Sequence, residues 1–405
     1  MPTHFADSAP KISSFEVLPG LDALQAGCAK EVLSFLHGRK IGLLTNHTGR
    51  AGDGRSTLNV LRELELNVVA LFSPEHGFSG THEGHIASSY YDTLPVHSLY
   101  GESRRPTREM LAGIEVLVCD LQDVGARFYT YASTIAHCLE ECAKTGIAVV
   151  VLDRPNPIGG EIIEGPLIEN FPAPDLRSFI GYLNIPVRHG MTLGELALLY
   201  QSDMLQSEAS LDVELRVAGV LGWRRAMHWP QTKLEWVTPS PNLPDYRSAA
   251  WYPGTCLLEF SKLSVGRGTR APFQIVGAPW MEAAGVLRAL NDEPIFAASF
   301  AAKVLDFTPT RGEYSCQACQ GLELSALDAE IPGAVVPLGF CLLSVLHRTQ
   351  PEYLGEAKLQ LSLPLLGAPG VLRLLQNGEI EAALEISEKG AEFFRNRREE
   401  FLIYS

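Results

Sequence analysis

Through the N-terminal part of the chain, apolar runs of six residues recur, each followed by a short polar loop. Lys40 to Thr45 (KIGLLT), Asn67 to Phe72 (NVVALF), Ile114 to Cys119 (IEVLVC) and Ile147 to Leu152 (IAVVVL) have the continuous hydrophobicity of strands buried on both faces. Between them the apolar spacing becomes helical. Leu21 to His37 predicts an amphipathic helix, Ser56 to Leu64 a helix with Ser56 as its N-cap, and Tyr129 to Lys144 another. Pro106 to Leu111 has a proline where a helix favours one, near its start, and Leu94 to Leu99 suits a short strand. Thr192 to Tyr200 predicts a helix with a capping box, Thr192 with Glu195, and Leu211 to Val217 alternates as a strand does. Strand, polar loop and helix in repeated succession predict an α/β fold: a doubly wound, mostly parallel sheet with right-handed crossovers.

From about Trp236 this texture is lost. Thr238 to Pro244 (TPSPNLP), Trp251 to Gly254 (WYPG) and Gly266 to Thr269 (GRGT) read as loops. Helices and short strands follow, including Ala334 to His347 and Lys389 to Tyr404. Two domains are expected: a Rossmann-like catalytic domain over residues 1–235, and a smaller α+β domain over 236–405 that completes a cleft.

In a doubly wound sheet the loops after the strands share one edge, where ligands bind. Here those loops are unusually polar. They are Asn46-His47-Thr48-Gly49, Ser73 to Gly84 (SPEHGFSGTHEG), Asp120 to Gly125, and Asp153 to Pro157, which continues to Glu164. Glu75 and Glu164 are the pair best placed for glycoside hydrolysis, which commonly needs one carboxyl to protonate the leaving oxygen and another as base or nucleophile. Asp120, Asp123 and Asp153 are further acids at this edge. The plainer alternative is helix capping, or pairing with Arg127 and Arg154. His76, His82, His85 and His97 fall near Glu83 and Asp92. A metal site is one reading, but HEGH lacks the HExxH spacing, and hydrogen bonding is the better expectation. No GxGxxG follows the first strand, and no GxxxxGK[ST] or GxSxG occurs. GRGT suits an anion cradle or a simple tight turn. Arg127 to Tyr131 (RFYTY), with Asn156, His189, Asn242 and Trp251, suits a sugar site or a packed seam between domains.

Composition narrows the classes. The chain has 405 residues, 46% of them hydrophobic and 20% charged, as in globular proteins, and a net charge of -14 that argues against a nucleic-acid partner. No apolar run approaches the roughly 18 residues of a membrane span. The N-terminus lacks a basic stretch leading into an apolar one, so a cytoplasmic location is expected. Eight cysteines are scattered; Cys316 and Cys319 form one CxxC without a second pair, so reduced thiols are expected and no structural metal.

The motifs NHTG, LFSPEHGFSG, LPVHSLYG, DLQDVGARFYTY, LDRPNPIGG with EGP, IPVRHGMTLGELA, GW, PSPNLP, YPG, SVGRGT, PF with VGAPW, and an arginine-rich C-terminal helix ending in LIY occur in that order. Together they resemble the exo-β-N-acetylmuramidases of the NamZ type, a glycoside hydrolase family formerly known only as a domain of unknown function, and the resemblance spans nearly the whole chain. It implies release of N-acetylmuramic acid from the non-reducing end of peptidoglycan fragments, with no cofactor and no metal. It assigns catalysis to Glu75 in SPEHG and Glu164 in EGP, with the substrate's own N-acetyl group as an alternative nucleophile. It places Asn46, His76, Asp120, Gln122, Arg127, Tyr129, Arg154, Asn156, His189, Asn242 and Arg267 along the cleft. The chain departs from the pattern after Glu259, where Gly-Thr-Asn is expected and Phe260-Ser261-Lys262 stands, and at Gln274, where a glutamate is expected. The expected partner is a muropeptide or other saccharide containing N-acetylmuramic acid, and neither a nucleic acid nor a membrane. Alternatives are a non-catalytic sugar- or muropeptide-binding protein and a metal-dependent hydrolase.

Overall fold

The computed structural model describes residues 17–80, 87–171, 176–207 and 210–405. The apolar runs become strands of one sheet: β1 (Lys40–Thr45), β2 (Asn67–Ser73), β3 (Ser89–Tyr91), β4 (Leu94–Ser98), β5 (Val116–Asp120), β6 (Ala148–Leu152) and β7 (Leu215–Ala218). Their order is β3-β4-β2-β1-β5-β6-β7, and every pairing is parallel except β3 with β4. Successive side chains point to opposite faces, so a six-residue apolar run serves two cores. Leu117, Cys119, Val149 and Val151 face one of them, under the helices α4 (Tyr131–Thr145) and α5 (Leu193–Gln206). Val116, Val118, Ala148 and Val150 face the other, under α1 (Gly20–Gln25), α2 (Lys30–Leu36) and α3 (Thr57–Glu63). With helices on both faces the sheet is doubly wound and Rossmann-like. The predicted caps are present: Ser56 accepts from the Asn59 N–H, and Thr192 and Glu195 close a capping box.

The C-terminal part has a small antiparallel sheet in the order β8 (Ile275–Ala278), β10 (Cys319–Ala326), β9 (Phe300–Phe307). The helices Ala283–Asn291 and Pro294–Ser299 pack against it, and this part also holds Tyr246–Thr255, Val336–Thr349 and Ile380–Arg398. This part shares a continuous core with the α4 and α5 face of the large sheet.

Some elements differ from expectation. Leu21 to His37 is two helices, α1 and α2, parted by a turn in which Gly27 has φ +71. Pro106 to Leu111 forms turns only. WYPG is helical, with Pro253 inside Tyr246–Thr255, because Trp251 and Tyr252 are buried and held by the core. Tyr252 packs edge-on against Phe128 and Phe273, at 5.1 and 4.8 Å between ring centroids. Tertiary packing there outweighs the local preference of a Pro-Gly pair.

Candidate active site

After β2 the backbone makes a tight turn. The Gly77 N–H donates to the Pro74 carbonyl at 3.0 Å, and His76, Gly77 and Gly80 all have φ between +71 and +73. A Cβ on Gly80 would lie 1.8 Å from the His47 ring, so only glycine lets this loop fold down onto the loop after β1. The turn carries Glu75 to the wall of a cavity of about 310 Å³. Glu75 is half-buried, and its Oε2 accepts a hydrogen bond from Thr130 Oγ1 at 2.6 Å, from the residue just before α4. Behind it, Asn46 Nδ2 donates to Tyr131 Oη at 2.7 Å, and that hydroxyl lies 3.5 Å from the Glu75 carbonyl. Burial and the neighbouring Glu75 carboxyl push the Tyr100 hydroxyl up to about 12, so it stays a neutral donor on the same wall.

The facing wall comes from the C-terminal part and includes Cys256, Glu259, Phe260, Arg267 and Phe273. Glu259 is ion-paired with Arg267, and its Oε2 lies 3.1 Å from Cys256 Sγ. Burial, then the charge of Glu259, raises the Cys256 pKa well above the usual range, which keeps it a thiol able to donate that bond. Phe128, Tyr129, Tyr252 and Phe273 form an aromatic floor, and Ser240 and Asn242 close one side. Two carboxyls, Glu75 and Glu259, thus line one cavity, with the Arg267 guanidinium beside Glu259 and aromatic side chains in the same lining.

Of the residues expected along the cleft, Glu75, His76, Tyr129, Asn242 and Arg267 meet here. The rest lie elsewhere. Glu164 Oε2 accepts from the Val335 and Val336 N–H groups, each at 2.8 Å, at the start of the helix Val336–Thr349, while its Oε1 pairs with Arg188 at 2.9 Å. Its carboxylate satisfies orphan helix donors, and Glu164 is not among the residues lining the cavity. Asp120 is fully buried, held by Arg154 at 2.5 Å and Thr57 at 2.5 Å. Arg127 donates to the carbonyls of Pro166, Ile185, Leu365 and Leu366, so it ties the two halves of the chain together. Asn156 bridges the Met191 carbonyl and the Ile158 N–H. His189 lies 3.3 Å from Asp123. Gln122 and Arg154 line a different cavity, and Asn46 acts behind Glu75. Polar residues at a strand's carboxyl end can equally hold loops together, and sequence spacing does not separate the two uses.

Glu259, Thr130 and Tyr100 were missed as site residues. The available signal for Glu259 was its standing just before SVGRGT, at an expected glutamate. His97 is packed against Phe72 and its pKa is lowered by burial. His82, Glu83 and His85 lie outside the described residues. Among the described residues no group of three His, Cys, Asp or Glu is placed to hold a metal ion.

The family models for exo-beta-N-acetylmuramidase NamZ match this chain in two consecutive pieces, the N-terminal one over residues 41–247 and the C-terminal one over residues 250–404. The chain belongs to the NamZ family. It is 37% identical over 395 residues to the peptidoglycan beta-N-acetylmuramidase NamZ of Bacillus subtilis (strain 168), covering 96% of this chain and 92% of that protein. Two solved structures of DUF1343 family proteins from Bacteroides fragilis NCTC 9343 are similar. One has a TM-score of 0.84 at 31% identity and covers 96% of this chain and all of the other; the second has 0.74 at 27%, covering 96% and 99%. Against the expected NamZ pattern, Phe260 replaces a glycine on the cleft wall. Lys262 replaces an asparagine at φ +65, a conformation asparagine tolerates better.

Proposed function

We propose that the chain hydrolyses the β-glycosidic bond of a non-reducing terminal N-acetylmuramic acid residue in peptidoglycan fragments. The observation that carries this reading is Glu75, presented by a constrained turn into a cavity that Glu259 also lines, in a chain of the NamZ family. The activity of the Bacillus relative, a peptidoglycan beta-N-acetylmuramidase, supports the same substrate.

In this reading Glu75 gives its proton to the leaving glycosidic oxygen, and Thr130 fixes the carboxyl and stabilises the carboxylate left behind. Glu259 is the second carboxylate. Arg267 and Cys256 hold it in place; it stabilises the positive charge that develops on the sugar ring and takes a proton from the water that bonds to the anomeric carbon as the leaving oxygen departs. Glu164 keeps its place as a helix cap and takes no part in the chemistry. The aromatic floor supplies a surface for the apolar face of the sugar, and Tyr100, Asn242 and His76 supply polar contacts.

The test uses a chromogenic β-N-acetylmuraminide and the matching N-acetylglucosaminide. Wild-type protein should turn over the first in preference. Glu75→Gln should lower kcat by about 10²–10⁴-fold, and Glu259→Gln should also be severely impaired. Turnover unchanged by Glu75→Gln would remove the assignment, and no turnover of either substrate by wild type, with binding retained, would make the chain a binding protein. We further propose a cytoplasmic role in cell-wall recycling. Its support is that all eight cysteines are free thiols, six of them buried. Fractionation that finds the protein only outside the cytoplasm would exclude it.

A further inference from the structure

A second cavity at the polar edge of the sheet is larger than the one that holds Glu75. A space of about 610 Å³ opens between the loops after β1, β5 and β6, the start of α1, and residues 229–237. β2 and β4 lie on one side of β1, and β5, β6 and β7 on the other. The carboxyl ends of β1 and β5 therefore flank the point where the strand order reverses, the crevice that open α/β sheets use for ligands. Here the two cavities are back to back across one segment. Val237 lines the larger, and Ser240 and Asn242 line the Glu75 cleft. Between them the Thr238 carbonyl meets His47 Nε2 at 2.6 Å, and the Pro239 carbonyl accepts from Tyr129 Oη at 2.9 Å.

Among the described residues, the lining has unfinished hydrogen bonding. Asp22 uses Oδ1 to accept from the Gly52 N–H at 2.7 Å, but its buried Oδ2 has no partner. Gln122 is 4% exposed and gives its amide protons to the Asp123 and Pro155 carbonyls, leaving Oε1 without a donor. Trp229 is 6% exposed, and its indole N–H has no acceptor. Buried polar groups in folded proteins nearly always have partners, and each one left without is costly. Three such groups in the lining of one cavity indicate a ligand that offers both donors and acceptors.

Charge and shape narrow the class. Asp22, Asp53 and Glu235 are matched in the lining by Arg50, Arg154 and Lys233, and Arg154 is already neutralised by Asp120. An anionic ligand gains nothing from such a balance, and the loop after β1 has no phosphate-binding glycine pattern. Val17, Leu18, Leu234 and Trp229 add apolar surface. Hydroxyls that donate and accept, on a ring with an apolar face and no charge, satisfy all of these features. We propose that this cavity is a second, non-catalytic site for an uncharged saccharide of one or two rings.

The test uses N,N′-diacetylchitobiose, an uncharged disaccharide, titrated calorimetrically into full-length Glu75→Gln protein so that no turnover intervenes. Saturable binding of one equivalent is expected, persisting when excess N-acetylmuramic acid is present to fill the cleft. Adding Asp22→Asn or Trp229→Phe should weaken it at least tenfold. In the Glu75 background the same two substitutions should leave turnover of the chromogenic muraminide within twofold of wild type, a readout that reports the cleft separately. Absence of chitobiose binding would overturn the proposal. So would binding that N-acetylmuramic acid competes away, or binding that neither substitution weakens in protein that melts like its parent.

Discussion

Glu75 reaches its cleft through a turn that few residues tolerate, and its carboxyl accepts from Thr130 Oγ1 at 2.6 Å, with Tyr100 also hydrogen-bonded to it. A hydrogen bond to a charged group contributes about 1.5–3 kcal/mol. Thr130→Val keeps the shape and removes the hydroxyl. We expect kcat/KM on the chromogenic muraminide to fall by roughly tenfold to a hundredfold, with KM changing far less than kcat. An equal rise in KM with kcat unchanged would show that Thr130 serves substrate binding instead. Glu75 was legible in the sequence because a loop dense in acid–base groups followed a buried strand. Glu259 was not. It lies in an apolar stretch, CLLEFSKL, and only the packing of the C-terminal part turns it toward the first wall.

Among the elements, the helix Val336–Thr349 depends on a residue far away in sequence. Its N-cap, Val335, has no side-chain oxygen to offer, and Glu164 supplies both missing acceptor contacts. The same carboxylate neutralises the buried Arg188. Removing one partner of a buried pair typically costs about 3–5 kcal/mol, because the other is left charged and unpaired. Glu164→Ala should therefore lower the urea midpoint strongly while leaving kcat per folded molecule near wild type. A variant that melts normally and has lost turnover would return Glu164 to the chemistry. The elements themselves were largely legible. Six-residue apolar runs have the length of strands buried on both faces, and their alternation with helices pointed to the parallel topology. What local pattern missed were the breaks and bridges. Gly27 divides one amphipathic stretch, and burial of Trp251 and Tyr252 holds a helix through Pro253. Of the polar residues expected at the common edge, Asp120, Arg127, Asn156 and Glu164 bond to neighbouring segments of the chain, contacts that sequence spacing does not show.

Across the whole molecule, we propose a division near residue 236, with both parts sharing a core and the chain's end returning to the first of them. Tyr404 Oη donates to Asp153 Oδ2 at 2.5 Å, at the carboxyl end of β6. Thr192 Oγ1 donates to the same oxygen at 2.6 Å, and the Gly194 and Arg154 N–H groups donate to Oδ1 at 2.8 and 3.0 Å. Glu195, which binds the Ile403 N–H and pairs with Arg225, is the nearby acid, and its charge adds to the effect of burial. Burial dominates, and Asp153 is pushed up from the usual 3.8 to about 6 in spite of these donors. In the unfolded chain it would titrate at the ordinary value. The folded state thus binds the proton more tightly, and the stability this confers is fully present below pH 3.8 and lost as pH rises through about 6. The difference corresponds to about 3 kcal/mol. Other carboxylates change the total in the opposite direction, so the comparison must be made against Asp153→Asn, which cannot titrate. Between pH 4 and pH 7 the stability of wild type relative to that variant, from urea unfolding, should decline by about this amount. Tyr404→Phe withdraws a donor from the ionised form and should steepen the decline. A wild-type-to-variant difference that is the same at both pH values would show that Asp153 does not titrate in this window, and that the C-terminal clamp is insensitive to pH.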